Sequence, residues 1–167
     1  VLMPGYYYRY NQDGSLSNGS GCGNETASEM PMMRKFIVDS TSFLASEYKL
    51  GGFRFDLMGL HDLTTMNKLT AECKKVNKNI VIYGEPWTGG TSAMESFDLQ
   101  SAKQSNANYY KGYGQFNDQM RDALIKGGLN SDTSLGWITN RDTVNQNDVN
   151  LIKKGIAGIT YNSNGDI

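Results

Sequence analysis

GFRFDLMGLHDLTTMNKLTAECKKVNKNIVIYGEPWTGG, residues 52–90, decides the fold. It reads as strand, helix, strand. Phe53 and Phe55 alternate with Arg54 and Asp56, the period-two pattern of a short strand. Asp62 or Thr64 opens a helix whose buried stripe is predicted as Leu63, Met66, Leu69, Cys73 and Val76. Lys74, Lys75 and Lys78 crowd its end, where cations complement the helix dipole. Ile80–Tyr83 is a near-continuous apolar run, the pattern of a strand buried on both faces of a parallel sheet.

On the N-terminal side, residues 30–48 read as a helix with Pro31 in its first turn and Ser28 or Glu29 in its cap region. Met33, Phe36, Ile37, Ser40, Phe43, Leu44 and Tyr48 share one helical face, the predicted core face, and Gly51-Gly52 stops the helix. Residues 1–29 have no periodicity and combine four tyrosines with a run of Gly, Asn and Ser turn formers. A loop of that length is usually functional. On the C-terminal side, residues 88–112 read as a second Gly/Ser/Asn-rich loop. A short strand near Tyr113–Phe116 and a helix from Asn117 or Asp118 to Lys126 follow. Beyond Gly127 the sequence turns polar, with one short helix expected at 148–154.

The alternation predicts an α/β fold with parallel strands, and the long loops mostly follow the strands, on the ligand-binding side of such folds. A length of 167 residues is that of one domain, about two-thirds of a whole (β/α)8 barrel of roughly 250 residues. A net charge of −1 gives no case for nucleic acid or an anionic membrane as partner. No apolar run approaches the roughly 18 residues of a membrane span. Cys22 and Cys73 form no CxxC, so no zinc site is readable, and free thiols are expected with Cys73 buried in its helix. No Gly-rich phosphate loop follows a strand at the needed spacing, which excludes a nucleotide-binding domain. No Asp/Asn cluster has calcium-loop spacing.

Asp56 ends one strand and Glu85 ends the next, 29 residues on, one strand–helix–strand unit away. Ends of adjacent strands lie roughly 5 Å apart. That matches the ~5–5.5 Å carboxyl separation of a retaining glycosidase. Arg54 points to the same face as Asp56 and would keep it ionised, as a nucleophile requires. Glu85 stands beside Pro86 and Trp87, where partial desolvation favours the protonated form and suits a general acid. The competing reading is a structural Arg54–Asp56 ion pair with Glu85 as a strand-end cap.

GFRFDLMG (52–59) and YGEPWTGG (83–90) resemble two signature segments of the α-amylase superfamily of glycoside hydrolases, closest to its type I pullulanases. YYYRYNQDGSLSNGSGCGNETASE (6–29) is similar to the loop after the third barrel strand, and FNDQMRDAL (116–124) to the sixth-strand segment. The resemblance implies a partial TIM (β/α)8 barrel, about strands four to six with their helices plus the loop after strand three. Residues 1–29 become the substrate-side loop, 30–127 the βα repeats and 128–167 a loop-rich segment. Asp56 is implied as nucleophile, Glu85 as general acid/base and Arg54 as partner of the nucleophile. The implied substrate is an α-glucan poly- or oligosaccharide, cut at α-1,6 branches with retention of configuration. No cofactor or metal is implied, and the site of action stays open between cytoplasm and export. Trp87 either stacks on sugar or packs beside the site. His61, the only histidine, either touches the leaving-group sugar or is a solvated loop residue. Asn24 and Glu25 either contact sugar or hold the loop, and Asn117 and Asp118 read first as a helix cap.

Two further family segments, a D-x-x-x-N-H-like one and an H-D one carrying a third catalytic carboxylate, do not occur among these residues. The expectation is a piece of a longer enzyme, inactive and poorly stable alone. Competing functions are a glucan branching enzyme or other transglycosylase, and a non-catalytic carbohydrate-binding protein on a degenerate amylase fold.

Overall fold

A computed structural model describes Met3, Gly5–Lys126, Leu135–Thr139 and Asn145–Gly158. The chain divides into two compact units, the first ending at Phe116 and the second beginning at Asn117.

The first unit holds α1 (Pro31–Glu47), β1 (Gly52–Phe55), α2 (Leu63–Val76), β2 (Val81–Gly84) and β3 (Gly114–Gln115). The three strands are all parallel and lie side by side in sequence order. Arg54 pairs with Tyr83 in the β1–β2 register, so the positions that follow each strand, Asp56 and Glu85, come out side by side. This is a mixed α/β unit, as the alternation predicted.

One face of the sheet carries the core. Ile82 is buried there with Phe53 and Phe55 against it, and α1 and α2 supply Ile37, Val38, Ala45, Leu63, Met66, Leu69 and Cys73. Met66, Leu69 and Cys73 are fully enclosed. Burial of a side chain such as Leu69 contributes about 2 kcal/mol.

The opposite face carries Arg54, Val81 and Tyr83 and is open, with Val81 60% exposed. The expectation of a strand buried on both faces fails here: β2 alternates between exposed and buried positions. An apolar run does not by itself distinguish a strand covered on two sides from one covered on one side.

The predicted core face of α1 is displaced. Its buried residues are Ile37, Val38, Thr41 and Ala45, whereas Phe36, Phe43, Leu44 and Tyr48 are exposed. The sequence shows an apolar stripe wider than the layer that α2 and the sheet cover. Val76 at the end of α2 is likewise exposed. The cap of α1 also differs: Met30 takes the N-cap position without a side-chain bond, and Ser28 instead serves α2. Asp62 is the N-cap of α2, accepting from Thr65 N at 3.0 Å. Ser28, Thr65 and Arg34 also bond its carboxylate.

The long loops carry more structure than their composition predicted. Residues 88–112 include two 3-10 turns, Ala93–Phe97 and Gln104–Tyr109. The first loop closes through antiparallel bridges Tyr8–Thr26 and Tyr10–Leu16. Its tyrosines do not reach the core: Tyr6, Tyr7 and Tyr10 are half-buried and Tyr8 is exposed. Cys73 is buried and Cys22 exposed, both as free thiols.

In the second unit, α3 (Asp118–Ile125) starts at the N-cap Asn117, whose side chain accepts from Met120 N at 2.9 Å. α4 (Gln146–Ala157) is longer than the expected 148–154 helix. It packs on α3 with Gly155 against the Met120 side chain, and Lys126 pairs with Asp148 at 2.9 Å. Most of the remaining 128–167 segment lies outside the described residues. No helix among the described residues is long and apolar enough to cross a membrane.

Candidate active site

The site is built where β1 and β2 end. After Phe55 the chain turns sharply through Leu57, which adopts a left-handed conformation at φ 44°. That turn directs the Leu57 N–H at Glu85, whose Oε2 accepts it at 2.8 Å. The Gly59 N–H bonds the Glu85 carbonyl at 3.0 Å, and the Glu85 N–H bonds the Phe55 carbonyl at 3.1 Å. Both backbone groups of Glu85 and one carboxylate oxygen are therefore tied to the end of β1 and the turn that follows it. Gly59 allows this approach, since a Cβ there would stand 2.5 Å from the Trp87 carbonyl oxygen.

Arg54 joins the two carboxylates. Its Nη1 bonds Asp56 Oδ1 at 2.5 Å and its Nη2 pairs with Glu85 Oε1 at 2.8 Å. The guanidinium pKa is raised, first by the hydrogen bond to Asp56, with burial opposing and the charge of Glu85 adding. The sequence reading gave Arg54 one partner; it has two. The apolar setting expected for Glu85 is also incomplete. Its side chain is 19% exposed and has a cation on one oxygen and a backbone donor on the other. The Asp56 side chain is 77% exposed.

Aromatic rings continue the site. Trp87 is half-buried and stacks on Phe116, with centroids 6.3 Å apart and planes 26° apart. Tyr83 meets the edge of Phe116 at 5.5 Å, and Arg54 lies over the Phe116 ring at 5.7 Å. Phe116, exposed at 39%, thus links Arg54 to Trp87, a role the sequence reading did not assign.

His61 is neither a solvated loop residue nor paired. It is half-buried, meets Phe55 edge-on at 5.6 Å, and its Nδ1 is buried without a partner. Burial pushes its pKa down to about 4, with Asp62 opposing and Arg9 assisting. Asn24 is exposed on the first loop, and its carbonyl accepts from Ser20. Glu25, by contrast, is 3% exposed and holds the loop. Its oxygens take Arg9 Nη1 at 2.5 Å, Ser92 Oγ at 2.6 Å and Gly19 N at 2.6 Å.

Arg9 is the residue the sequence reading missed. It is 2% exposed and also binds Glu29 at 2.7 Å. Its pKa is raised: burial opposes the charge, but the bonds to Glu29 and Glu25 outweigh it. A lone arginine inside a tyrosine run was the available signal. The loop it anchors lies against the loop after β2, where Gly89 and Gly90 both donate to the Gly19 carbonyl at 2.8 Å. Among the described residues no group of three His, Cys, Asp or Glu could hold a metal ion.

Two parallel strands thus end in carboxylates that share Arg54, beside an aromatic surface. No family model matches the chain. Individual proteins do. It is 40% identical over 122 residues to the pullulanase of Bacillus subtilis strain 168, covering 73% of this chain and 17% of that protein. It is 38% identical over 134 residues to the chloroplastic pullulanase 1 of Arabidopsis thaliana, covering 75% of this chain and 14% of that protein. The crystal structure of apo pullulanase from Paenibacillus barengoltzii superposes with a TM-score of 0.80 at 39% identity, over 97% of this chain and 24% of that one. The complex of an Anoxybacillus pullulanase with maltotriose gives 0.79 at 33% identity, over 94% and 21%. In sequence and in fold this chain resembles part of the pullulanases. It spans less than a fifth of the length of these curated relatives.

Proposed function

We propose that the protein containing this segment hydrolyses α-1,6-glucosidic branch linkages in pullulan, amylopectin or glycogen, by retaining double displacement. The observation that carries the reading is Arg54, bonded at once to Asp56 and Glu85 at the ends of adjacent strands. The α-glucan ligand is supported by pullulanase neighbours of known structure bound to maltotriose, maltose or maltohexaose.

Exposure separates the two roles, with Asp56 open and Glu85 largely covered. Asp56 is the open carboxylate, held by one oxygen, and attacks the anomeric carbon with the other. Arg54 holds and orients it. As the glycosidic C–O bond breaks, Glu85 gives its proton to the leaving oxygen. A water then enters, Glu85 takes its proton, and the hydroxide displaces Asp56 with restored configuration. The backbone clamp on Glu85 fixes its position through both steps. Trp87 stacked on Phe116 offers an apolar face to a pyranose ring. These strands form part of a (β/α)8 barrel, with the open Arg54–Tyr83 face turned to its interior.

Kinetics on the full-length protein test this reading. Asp56→Asn and Glu85→Gln should each lower kcat on pullulan on the order of 10³-fold or more, with the melting temperature retained. Near-wild-type turnover by either variant contradicts the assignment. Glucan binding without hydrolysis by the unmodified protein would favour a non-catalytic binding protein, and chain transfer on amylose would favour a branching enzyme.

A further inference from the structure

Three loops meet at one buried side chain. Arg9 belongs to the first loop, where Glu25 and Glu29 pair with it at 2.5 and 2.7 Å. Its Nη1 reaches Ser92 Oγ, at 3.4 Å, in the loop after β2. Its Nη2 reaches the Leu60 carbonyl, at 3.4 Å, in the turn after β1. Ser92 Oγ also donates to Glu25 at 2.6 Å, and Ser17 Oγ accepts from Ala93 N at 2.8 Å. Arg9, Glu25 and Ser92 are each at least 95% buried. The turn that Arg9 touches, Leu57–Leu60, is the one whose N–H groups hold Glu85.

We propose that Arg9 is a positioning residue for the hydrolysis: through Leu60 and Ser92 it locks the turn after β1 and the loop after β2 into one arrangement, and so sets Glu85 against Asp56. This rests on the reading of Asp56 and Glu85 as the catalytic pair. Arg9 touches neither carboxylate and acts through the turn. Only a guanidinium fits the task. Its rigid fork serves two carboxylates, a hydroxyl and a carbonyl together, which a lysine ammonium on a flexible stem does not do in one geometry.

The test uses the full-length protein with two variants. Arg9→Lys keeps a cation without the fork. Arg9→Met combined with Glu25→Gln and Glu29→Gln removes the charges of the cluster together, so no carboxylate is left unpaired. Two readouts are taken, kcat and KM on pullulan, and amide exchange of the peptide carrying Leu57–Leu60. The expected result is a cooperative melt, a kcat loss of at least about tenfold with KM within about twofold, and faster exchange at 57–60. A combined variant that folds with wild-type kcat and wild-type exchange overturns the proposal. Loss of the cooperative melt in both variants also overturns it, because Arg9 would then determine the fold rather than the site. If the unmodified protein cleaves no α-glucan, the catalytic reading fails on its own, and the exchange readout alone decides whether Arg9 orders the turn.

Discussion

A guanidinium that holds two carboxylates at once both spaces and orients them. Arg54 does so for Asp56 and Glu85. A lysine there would offer one ammonium in place of two fixed nitrogens. Arg54→Lys in the full-length protein should therefore lower kcat by about 10- to 100-fold with little change in melting temperature, read by pullulan kinetics and a thermal melt. Equal kcat would show that the fork is dispensable. His61 makes a second residue-level prediction. Its pKa in the fold is about 4, below the usual 6.5, because burial disfavours the imidazolium. The unfolded chain therefore binds more protons between those values, and stability falls as pH drops from about 6.5 to about 4. His61→Gln should flatten that part of the melting-temperature profile relative to the unmodified protein. Parallel profiles would contradict it.

The elements around the site depend on small local contacts. Asp62 caps α2 and is buried among Ser28, Thr65 and Arg34. Burial opposes its ionisation, yet the bonds from Thr65 and Ser28 hold its pKa below the usual value. Asp62→Ala should cost about 2 kcal/mol, from the lost cap and the polar groups left without a partner, measurable by denaturant unfolding. Gly59→Ala should be as damaging for a different reason, since its Cβ would meet the Trp87 backbone. The order of strands and helices and the buried stripe from Leu63 to Cys73 are legible in the sequence, and the Asp62 and Asn117 caps are each one of the two candidates it offers. Those features are local, set by periodicity and capping chemistry. The covered side of α1 and the one-sided burial of β2 were not legible, because an apolar stripe does not say which neighbour covers it. Arg9 and Phe116 were missed for a related reason. Their partners stand up to 83 residues away, and no spacing rule links them. The adjacency of Asp56 and Glu85 could be read because one strand–helix–strand unit brings its two strand ends together.

At the scale of the whole molecule, large apolar side chains stand exposed on α1 and on the open sheet face. Phe36, Phe43 and Tyr48 on α1, and Val81 and Tyr83 on the sheet, are all exposed. Side chains of Tyr7, Tyr8, Met32, Met33 and Phe43 line an open groove of about 710 Å³ along α1. Exposed apolar surface of this kind marks an interface or an aggregation hazard. Residues 1–167 expressed alone should therefore self-associate and show no turnover of pullulan, as sedimentation and a reducing-sugar assay would record. A monodisperse, active monomer would contradict that. The claim on which the function rests is that Asp56 forms the bond to the sugar. Trapping with a 2-fluoroglycosyl substrate analogue on the full-length protein, followed by peptide mass analysis, tests it most directly. The predicted result is one glycosyl adduct, on Asp56. An adduct on Glu85 or on any other carboxylate would contradict the account.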